Sequence, residues 1–313
     1  MLDLLIIGGS AAGCSAGIYA ARRNLNFKIV ADNVGGEMAL SGQVENWPGI
    51  KQIQGFELAQ QFAEHVKSYN VEIDEGWRVD SVSKRENYFI ATAKNAKNEE
   101  KTFEAKAIIS ATGIHPRHLK VPGEEELSHK GVTYCTVCDG PLFKNKTTAT
   151  IGGGNSALES AIMMAGIAKK VYILTIEPNT PENKSGFPSG EDILIEKIKS
   201  LPNIEILNEA NTYEIFGESK VQGLRYRDTK GEHELLVDGI MVHVGMIPNS
   251  QFIDVEKDKF GQIIISQKCE TNIPGLFAAG DVTNLPFKQI GIAAGQGITA
   301  ALSAIEYINK WKK

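Results

Sequence analysis

Apolar residues in this chain gather into short continuous runs, and several of those runs end at glycine. Leu4-Leu5-Ile6-Ile7 is the first, and four apolar positions in a row read as a strand buried on both faces. It leads into Gly8-Gly9-Ser10-Ala11-Ala12-Gly13, then an Ala-rich stretch of helical character at 14–23 and a second strand at 27–31. The design recurs as Thr148-Ala149-Thr150-Ile151, then Gly152-Gly153-Gly154-Asn155-Ser156-Ala157, a helical stretch at 158–165 and a strand at 171–174. Gly8 and Gly152 are 144 positions apart, as are Gly13 and Ala157, and each second strand begins 14 residues after the latter. Between the two units, 35–38 and 44–49 read as loops and 56–66 as an amphipathic helix. Strands are expected at 78–82, 88–92 and 101–103, joined by polar turns, with a separate buried strand at 107–111.

Pro116 disfavours helix before it, so 114–117 reads as an extended connection out of Thr112-Gly113. Val242-His243-Val244-Gly245-Met246-Ile247-Pro248-Asn249 repeats the strand, Gly and Pro pattern at the far end of the second unit. The chain is thus expected to leave a first domain near 113, build a second, and return near 247. That divides it into 1–113 with 248–313, and an inserted 114–247. The returning piece holds Gly275-Leu276-Phe277-Ala278-Ala279-Gly280-Asp281-Val282, which places Asp281 at a strand's carboxyl end, where open α/β sheets bind ligands. A plain N-cap is the other reading of Asp281. From 292 to 309, Ala294, Gly297, Ala301, Ala304 and Ile308 share one helical face, fit for close packing.

Strand, glycine turn and helix together present backbone N–H groups and a helix N-terminus to a pyrophosphate. Ser10 replaces the middle glycine of the usual turn, and Asp32, nineteen residues past Gly13, is placed to accept from an adenosine ribose. The second unit could instead be an α/β packing motif whose glycines only let helix approach strand. The predicted class is α/β, with two Rossmann-like dinucleotide-binding domains, the second inserted in the first.

Composition narrows the setting. The 313 residues suffice for two ordinary domains, and 42% hydrophobic with 23% charged residues is ordinary globular usage. A net charge of -5 gives no reason to expect nucleic acid or an anionic membrane as partner. The apolar start is too short for a membrane span and follows Asp3 where an export signal has basic residues. Four cysteines fit a reducing compartment, so a cytoplasmic location is expected.

The chemistry-bearing stretch is Tyr134-Cys135-Thr136-Val137-Cys138-Asp139-Gly140-Pro141. Two cysteines three apart can close a small disulfide ring, and a following carboxylate can hold or deliver the proton that dithiol chemistry needs. Zinc would want two more ligands at matching spacing, and none of the six histidines has it. The histidines read as structural or solvated, with no metal site. A thioredoxin-type active site lacks its Trp-Cys-Gly-Pro-Cys run here. A dithiol that exchanges electrons with a bound cofactor agrees best with the flanking units, and an accidental buried pair is the remaining alternative.

Taken together, Gly8 to Gly13, Gly35-Gly36, Glu45-Asn46-Trp47-Pro48-Gly49, Ala111-Thr112-Gly113, Cys135-Thr136-Val137-Cys138-Asp139-Gly140 and Gly280-Asp281 carry a resemblance over nearly the whole chain. The sequence resembles the low-molecular-weight thioredoxin reductases of the pyridine nucleotide–disulfide oxidoreductase group. The Cys motif inside the second module separates that group from glutathione-reductase-like enzymes and from flavoprotein ferredoxin reductases without a dithiol. The resemblance implies FAD on Gly8, Ser10, Ala11, Gly13, Asp32, Gly35, Gly36, Asn46, Thr112, Gly113, Gly280, Asp281, Gln289 and Ile290, with Asp281 on the ribityl chain and Asn46 near the flavin. It implies Cys138 as the flavin-side thiol, Cys135 as the thiol that attacks a thioredoxin-like partner's disulfide, Asp139 as acid–base, and a homodimer. Domain rotation about the two connections would let donor and disulfide take turns at the flavin.

One departure bears on the electron donor. NADPH-dependent members follow the second module's second strand with a His-Arg-Arg run and a further Arg, which hold the 2′-phosphate. Here Thr175-Ile176-Glu177-Pro178-Asn179-Thr180-Pro181 follows, and no arginine occurs between Arg117 and Arg225. NADPH is therefore disfavoured, and NADH on Gly152, Gly154, Ala157 and Glu177, ferredoxin, or another donor is left open. Two other functions share these parts: a dithiol oxidase that passes electrons to oxygen, and a non-catalytic flavin and dithiol redox sensor.

Overall fold

The computed structural model describes residues 1–41 and 43–311, so the last two positions of the returning segment lie outside the described residues. The chain divides into two compact units, Met1–His115 with Ile247–Lys313, and Pro116–Met246.

The first unit opens with β1 (Leu2–Gly9), α1 (Ala11–Arg22), β2 (Phe27–Val34), α2 (Gly36–Leu40), the paired β3 (Gln43–Val44) and β4 (Ile53–Gln54), α3 (Gly55–Lys67), β5 (Ile73–Glu75), β6 (Trp77–Lys84), β7 (Phe89–Asn95) and β8 (Glu100–Ser110). Its sheet runs β5-β2-β1-β8-β7-β6. The apolar run of β1 is buried on both faces as its pattern predicts. Leu4 and Ile6 pack towards α1 and α3, and Leu5 and Ile7 pack with Val30, Val79 and Phe89. Two expectations change here. Residues 101–103 and 107–111 are not two strands, because β8 is continuous. Glu104 and Lys106 alternate with the buried Phe103, Ala105 and Ala107, which is strand period and not a turn. The first half of β8 pairs antiparallel with β7, and its second half pairs parallel with β1. The loop expected at 35–38 instead enters α2, with Gly35 at φ 96° and Gly36 at φ 51° supplying a left-handed turn into a helix too short to show a period.

The connection β9 (Ile114–Pro116) leads to β10 (Val132–Thr133), α4 (Thr136–Asp139), a 3₁₀ turn at Gly140–Phe143, β11 (Thr147–Ile151), α5 (Asn155–Ala165), β12 (Lys170–Leu174), α6 (Asp192–Ser200), β13 (Ile204–Leu207), β14 (Asn211–Phe216), β15 (Gly223–Asp228), β16 (Gly231–Leu236) and β17 (Gly239–Val242). The second unit's five-stranded sheet, β10-β17-β11-β12-β13, is parallel throughout. β14, β15 and β16 form a separate antiparallel meander. The chain returns through β18 (Met246–Pro248), which pairs with β9.

β19 (Leu276–Ala278) then adds to the first sheet beside β8, and α7 (Ile290–Lys310) closes the first unit against α1. The small-residue face of α7 is what lets it in. A Cβ on Gly297 would lie 2.0 Å from the carbonyl oxygen of Ala12, whereas one on Gly295 would meet nothing within 4 Å. Gly297→Ala should therefore cost about 1–3 kcal/mol by overpacking. Gly295→Ala, on the exposed side of the same helix, should gain roughly 0.5–1 kcal/mol. Paired denaturant titrations check both, and equal effects of the two changes would contradict this packing.

Candidate functional site: a glycine-turn cradle and a Cys-x-x-Cys disulfide

In the first unit, two glycines allow backbone to meet backbone. A Cβ on Gly8, at φ 118°, would lie 2.2 Å from the oxygen of Ala111, and one on Gly13 would lie 1.9 Å from the oxygen of Gly8. The end of β1, the start of α1 and the end of β8 therefore converge. Ser10 stands at the N-cap of α1 but does not cap it. Its Oγ donates to the carbonyl of Gly35 at 2.6 Å, and Gly35 N–H donates to Gly9 at 3.0 Å. The first turn of α1, which includes Ala11, carries neither an acidic residue nor a side-chain cap, so its N–H groups stay open to an anion. Asp32 is exposed on β2.

A Cβ on Gly280, at φ 77°, would lie 3.1 Å from the Ala12 side chain, so the Gly280-Asp281 turn packs against the same helix. Asp281 is partly buried, and no hydrogen bond reaches its carboxylate among the described residues. Burial pushes its carboxyl up to about 6, with Lys288 opposing and Glu37 adding to the shift. Lys288 does not pair with it directly, because its Nζ donates to Gln262 Oε1 and to the carbonyl of Thr283, each at 2.6 Å. Asn46 Nδ2 donates to Gln289 Oε1 at 3.0 Å, and Gln289 is the N-cap of α7, whose first residue is Ile290. Thr112 Oγ1 donates to the carbonyl of Asn249 at 2.6 Å, and Asn249 Nδ2 returns a bond to the carbonyl of Thr112 at 2.9 Å. A Cβ on Gly113 would meet open space. An unpartnered half-buried carboxylate beside an uncapped helix N-terminus and a glycine turn fits a dinucleotide. The turn and α1 suit its pyrophosphate, and Asp281 suits a hydroxyl donor.

In the second unit, Cys135 and Cys138 are joined as a disulfide, with Cα atoms 5.3 Å apart. Cys135 is the N-cap of α4, and its carbonyl accepts from the N–H groups of Cys138 and Asp139 at 3.1 and 3.0 Å. The Asp139 carboxylate accepts a short bond from Thr133 Oγ1, which itself accepts from Cys135 N–H at 3.2 Å. Thr133 thereby holds both Cys135 and the carboxylate. Tyr134 donates to the buried Glu124 at 2.9 Å and lies 2.9 Å from His118 Nδ1. Glu124 also accepts from the N–H groups of Leu119 and Lys120 at 2.9 and 2.7 Å. Burial, with Glu124 beside it, pushes the Tyr134 phenol up. On the other side of Cys135, Thr136 Oγ1 lies 2.6 Å from Ser160 Oγ and 2.8 Å from His243 Nε2. Burial pushes the His243 imidazole down to about 4. Thr133, Glu124 and His243 carry no motif signal. Each lies near a strand end or a connection, and that position is the one cue the sequence offers.

The second glycine turn is also built on close approach. A Cβ on Gly152, at φ 143°, would lie 2.3 Å from the carbonyl oxygen of His243, while one on Gly154, the N-cap of α5, would meet open space. Ala157 is fully buried in the first turn of α5. Ile151 pairs with Leu174 here as Ile7 pairs with Val30 in the first module. By that register Ile176 occupies the place of Asp32, with Glu177 one residue further and three past the end of β12. Glu177 N–H donates to Thr175 Oγ1 at 3.2 Å.

The chain matches the family described as pyridine nucleotide-disulphide oxidoreductase over residues 2–298. It belongs to that family. A protein named NADH dehydrogenase from Ferdinandcohnia aciditolerans is 40% identical over 98% of this chain and 57% of its own length. A component of the alkyl hydroperoxide reductase of Staphylococcus aureus is 41% identical over 98% of this chain and 59% of its own length. The chain thus spans somewhat over half the length of these curated relatives. Among solved structures, thioredoxin reductase from Streptococcus pyogenes superposes with a TM-score of 0.88 at 33% identity, covering 99% of each chain. The family pairs a flavin with a pyridine nucleotide, and the fold is its two-module α/β architecture. Among the described residues no helix is long and apolar enough to cross a membrane.

The burial of Asp281 gives a prediction. Its carboxyl is raised from 3.8 to about 6. The protonated form is therefore favoured in the fold, and stability on this account is full below about pH 4 and is lost as pH rises through about 6. Asp281→Asn should then raise the stability of the flavin-free protein at pH 8, by at most about 3 kcal/mol, while weakening flavin retention. Melting with and without flavin checks it, and a variant that lowers both would contradict the assignment.

Proposed function

We propose that this chain is a flavin-dependent disulfide reductase that passes electrons through Cys135–Cys138 to a thioredoxin-like protein. The observation that carries the reading is the formed disulfide with Asp139 fixed beside it by Thr133, in a chain whose other unit has the glycine-turn cradle with Asp281. FAD, when bound, supplies a two-electron relay between an outside donor and this disulfide. Gly8, Ser10, Ala11, Gly13, Asp32, Gly35, Gly36 and Asp281 would hold it, with Asn46, Thr112, Gly113, Gly280, Gln289 and Ile290 around them. In the reduced dithiol, Cys135 attacks one sulfur of the partner's disulfide and forms a mixed disulfide, and the partner's other sulfur leaves as a thiolate. Cys138 then attacks Cys135, which re-forms the internal bond and releases the partner as a dithiol. Asp139 takes and returns the protons that move in these steps.

The donor in this reading is NADH and not NADPH. A 2′-phosphate is best held by arginine forks, and the run 118–224 has none. Of the three lysines near the second module's edge, Lys170 is paired with Glu205 at 2.8 Å and Lys184 with Asp192 at 3.0 Å. Lys184 also donates to the carbonyl of Gly190 at 3.1 Å. Of the three, Lys169 alone has no side-chain partner among the described residues, and a single lysine is a mobile point charge. The relative named NADH dehydrogenase supports the same choice. A loss of even ~3 kcal/mol of phosphate recognition changes affinity about a hundredfold.

Two experiments test these points. In anaerobic stopped flow, NADH should reduce the flavin at least about tenfold faster than NADPH at equal micromolar concentration. The reverse order overturns the donor assignment, and reduction by ferredoxin alone would move it to a protein. For the thiols, Cys138→Ser should trap a mixed disulfide between Cys135 and a thioredoxin-like protein, and Cys135→Ser should trap none. Trapping in the second variant only would reverse the two roles.

A further inference from the structure

Thr136 lies between the two cysteines and is buried, whereas Val137 beside it is exposed. Its hydroxyl joins three elements: α4 through its own backbone, α5 through Ser160 Oγ at 2.6 Å, and the end of β17 through His243 Nε2 at 2.8 Å. His243 is in turn clamped through its main chain. Its N–H donates to the carbonyl of Ile151 at 2.8 Å, and its carbonyl sits where Gly152 leaves no room for a Cβ. A side chain on so fixed a backbone has little freedom to follow its partner, so Thr136 is held to His243 and not the reverse. Either imidazole tautomer satisfies the contact, because the Thr136 hydroxyl can donate to one neighbour and accept from the other. With its imidazole down at about 4, His243 is neutral at neutral pH, and the contact joins uncharged groups.

We propose that His243 is a positioning residue of the dithiol, which through Thr136 holds the turn between Cys135 and Cys138 in its ring-closing shape and so favours the disulfide form. Reduction breaks the Sγ–Sγ bond and adds two electrons and two protons, and the freed turn gains conformations. An anchor at Thr136 withholds that freedom from the dithiol, while the disulfide has already lost it, so the closed form is favoured. The inference rests on Cys135–Cys138 being the working couple. If the flavin failed to reduce the pair, that reading would fall while the equilibrium below could still be measured.

The test is the thiol–disulfide equilibrium of the flavin-loaded protein against dithiothreitol, which supplies the electrons and protons and closes to its own cyclic disulfide. Thiols are counted after quenching by mass-tagged maleimide. Cys14 and Cys269, free and buried, with thiols pushed up to about 12 and about 11, give a constant background. Thr136→Val and His243→Leu remove the bond from opposite ends, while Thr136→Ser and His243→Gln keep a partner in reach. The first pair should each lower the equilibrium constant for disulfide formation about fivefold, which is about 20 mV at 29.6 mV per tenfold. The second pair should stay within about twofold of the parent. If either removing variant does not fold, the other carries the comparison. Removing variants that match the parent overturn the proposal, as do conservative variants that shift as far as the removing ones.

Discussion

Everything in this molecule depends on one contact made twice: the glycine that turns a parallel strand towards its helix, pressed against the end of the neighbouring strand with no atom to spare. At Gly8 against the carbonyl of Ala111, and at Gly152 against that of His243, a single methyl group would collide with backbone. Such contacts are available only to glycine, and they do two jobs. They bury the strand's apolar run beneath a helix, and they leave the helix's first N–H groups uncapped at the carboxyl edge of the sheet. Stability and anion binding are thus one piece of geometry.

The two modules use that geometry differently. In the first, Asp281 has no hydrogen-bond donor among the described residues, and Ser10 turns its hydroxyl to Gly35 and leaves α1 without a side-chain cap. In the second, the surroundings of the turn are engaged. His243 braces Gly152 and reaches Thr136, Asn155 and Glu191 exchange hydrogen bonds at the start of α5, and two of the three nearby lysines are paired. The second module invests its polar groups in holding the disulfide segment as much as in offering a nucleotide site.

The strand, glycine and helix units were legible in the sequence because each is a local pattern read over fewer than thirty residues. The Cys-x-x-Cys and the acid after it were legible for the same reason. What holds them was not. The Thr136 to His243 bond spans 107 positions, and the Tyr134 to Glu124 bond joins residues with no shared motif. β8 was misread as two strands because its polar positions, Glu104 and Lys106, look like a turn until the neighbours on either side are known. The meander of β14, β15 and β16 gave no long apolar run, since each strand mixes charged or polar residues with apolar ones and β16 alternates exposed positions throughout.

The placement of β19 has a consequence for how the chain is made. The second unit finds all its sheet partners among its own residues. The first cannot: Leu276 must reach Ile108, and α7 must cover α1, after 131 intervening residues of Pro116–Met246 have been built. During synthesis the inserted unit can therefore mature while the outer one still shows its unfinished sheet and the bare face of α1. Nascent chains would pass through a stage in which the disulfide-bearing half is shaped and the half with the first glycine turn is an open, sticky platform. The segment that carries β19 and α7 is the one that seals it.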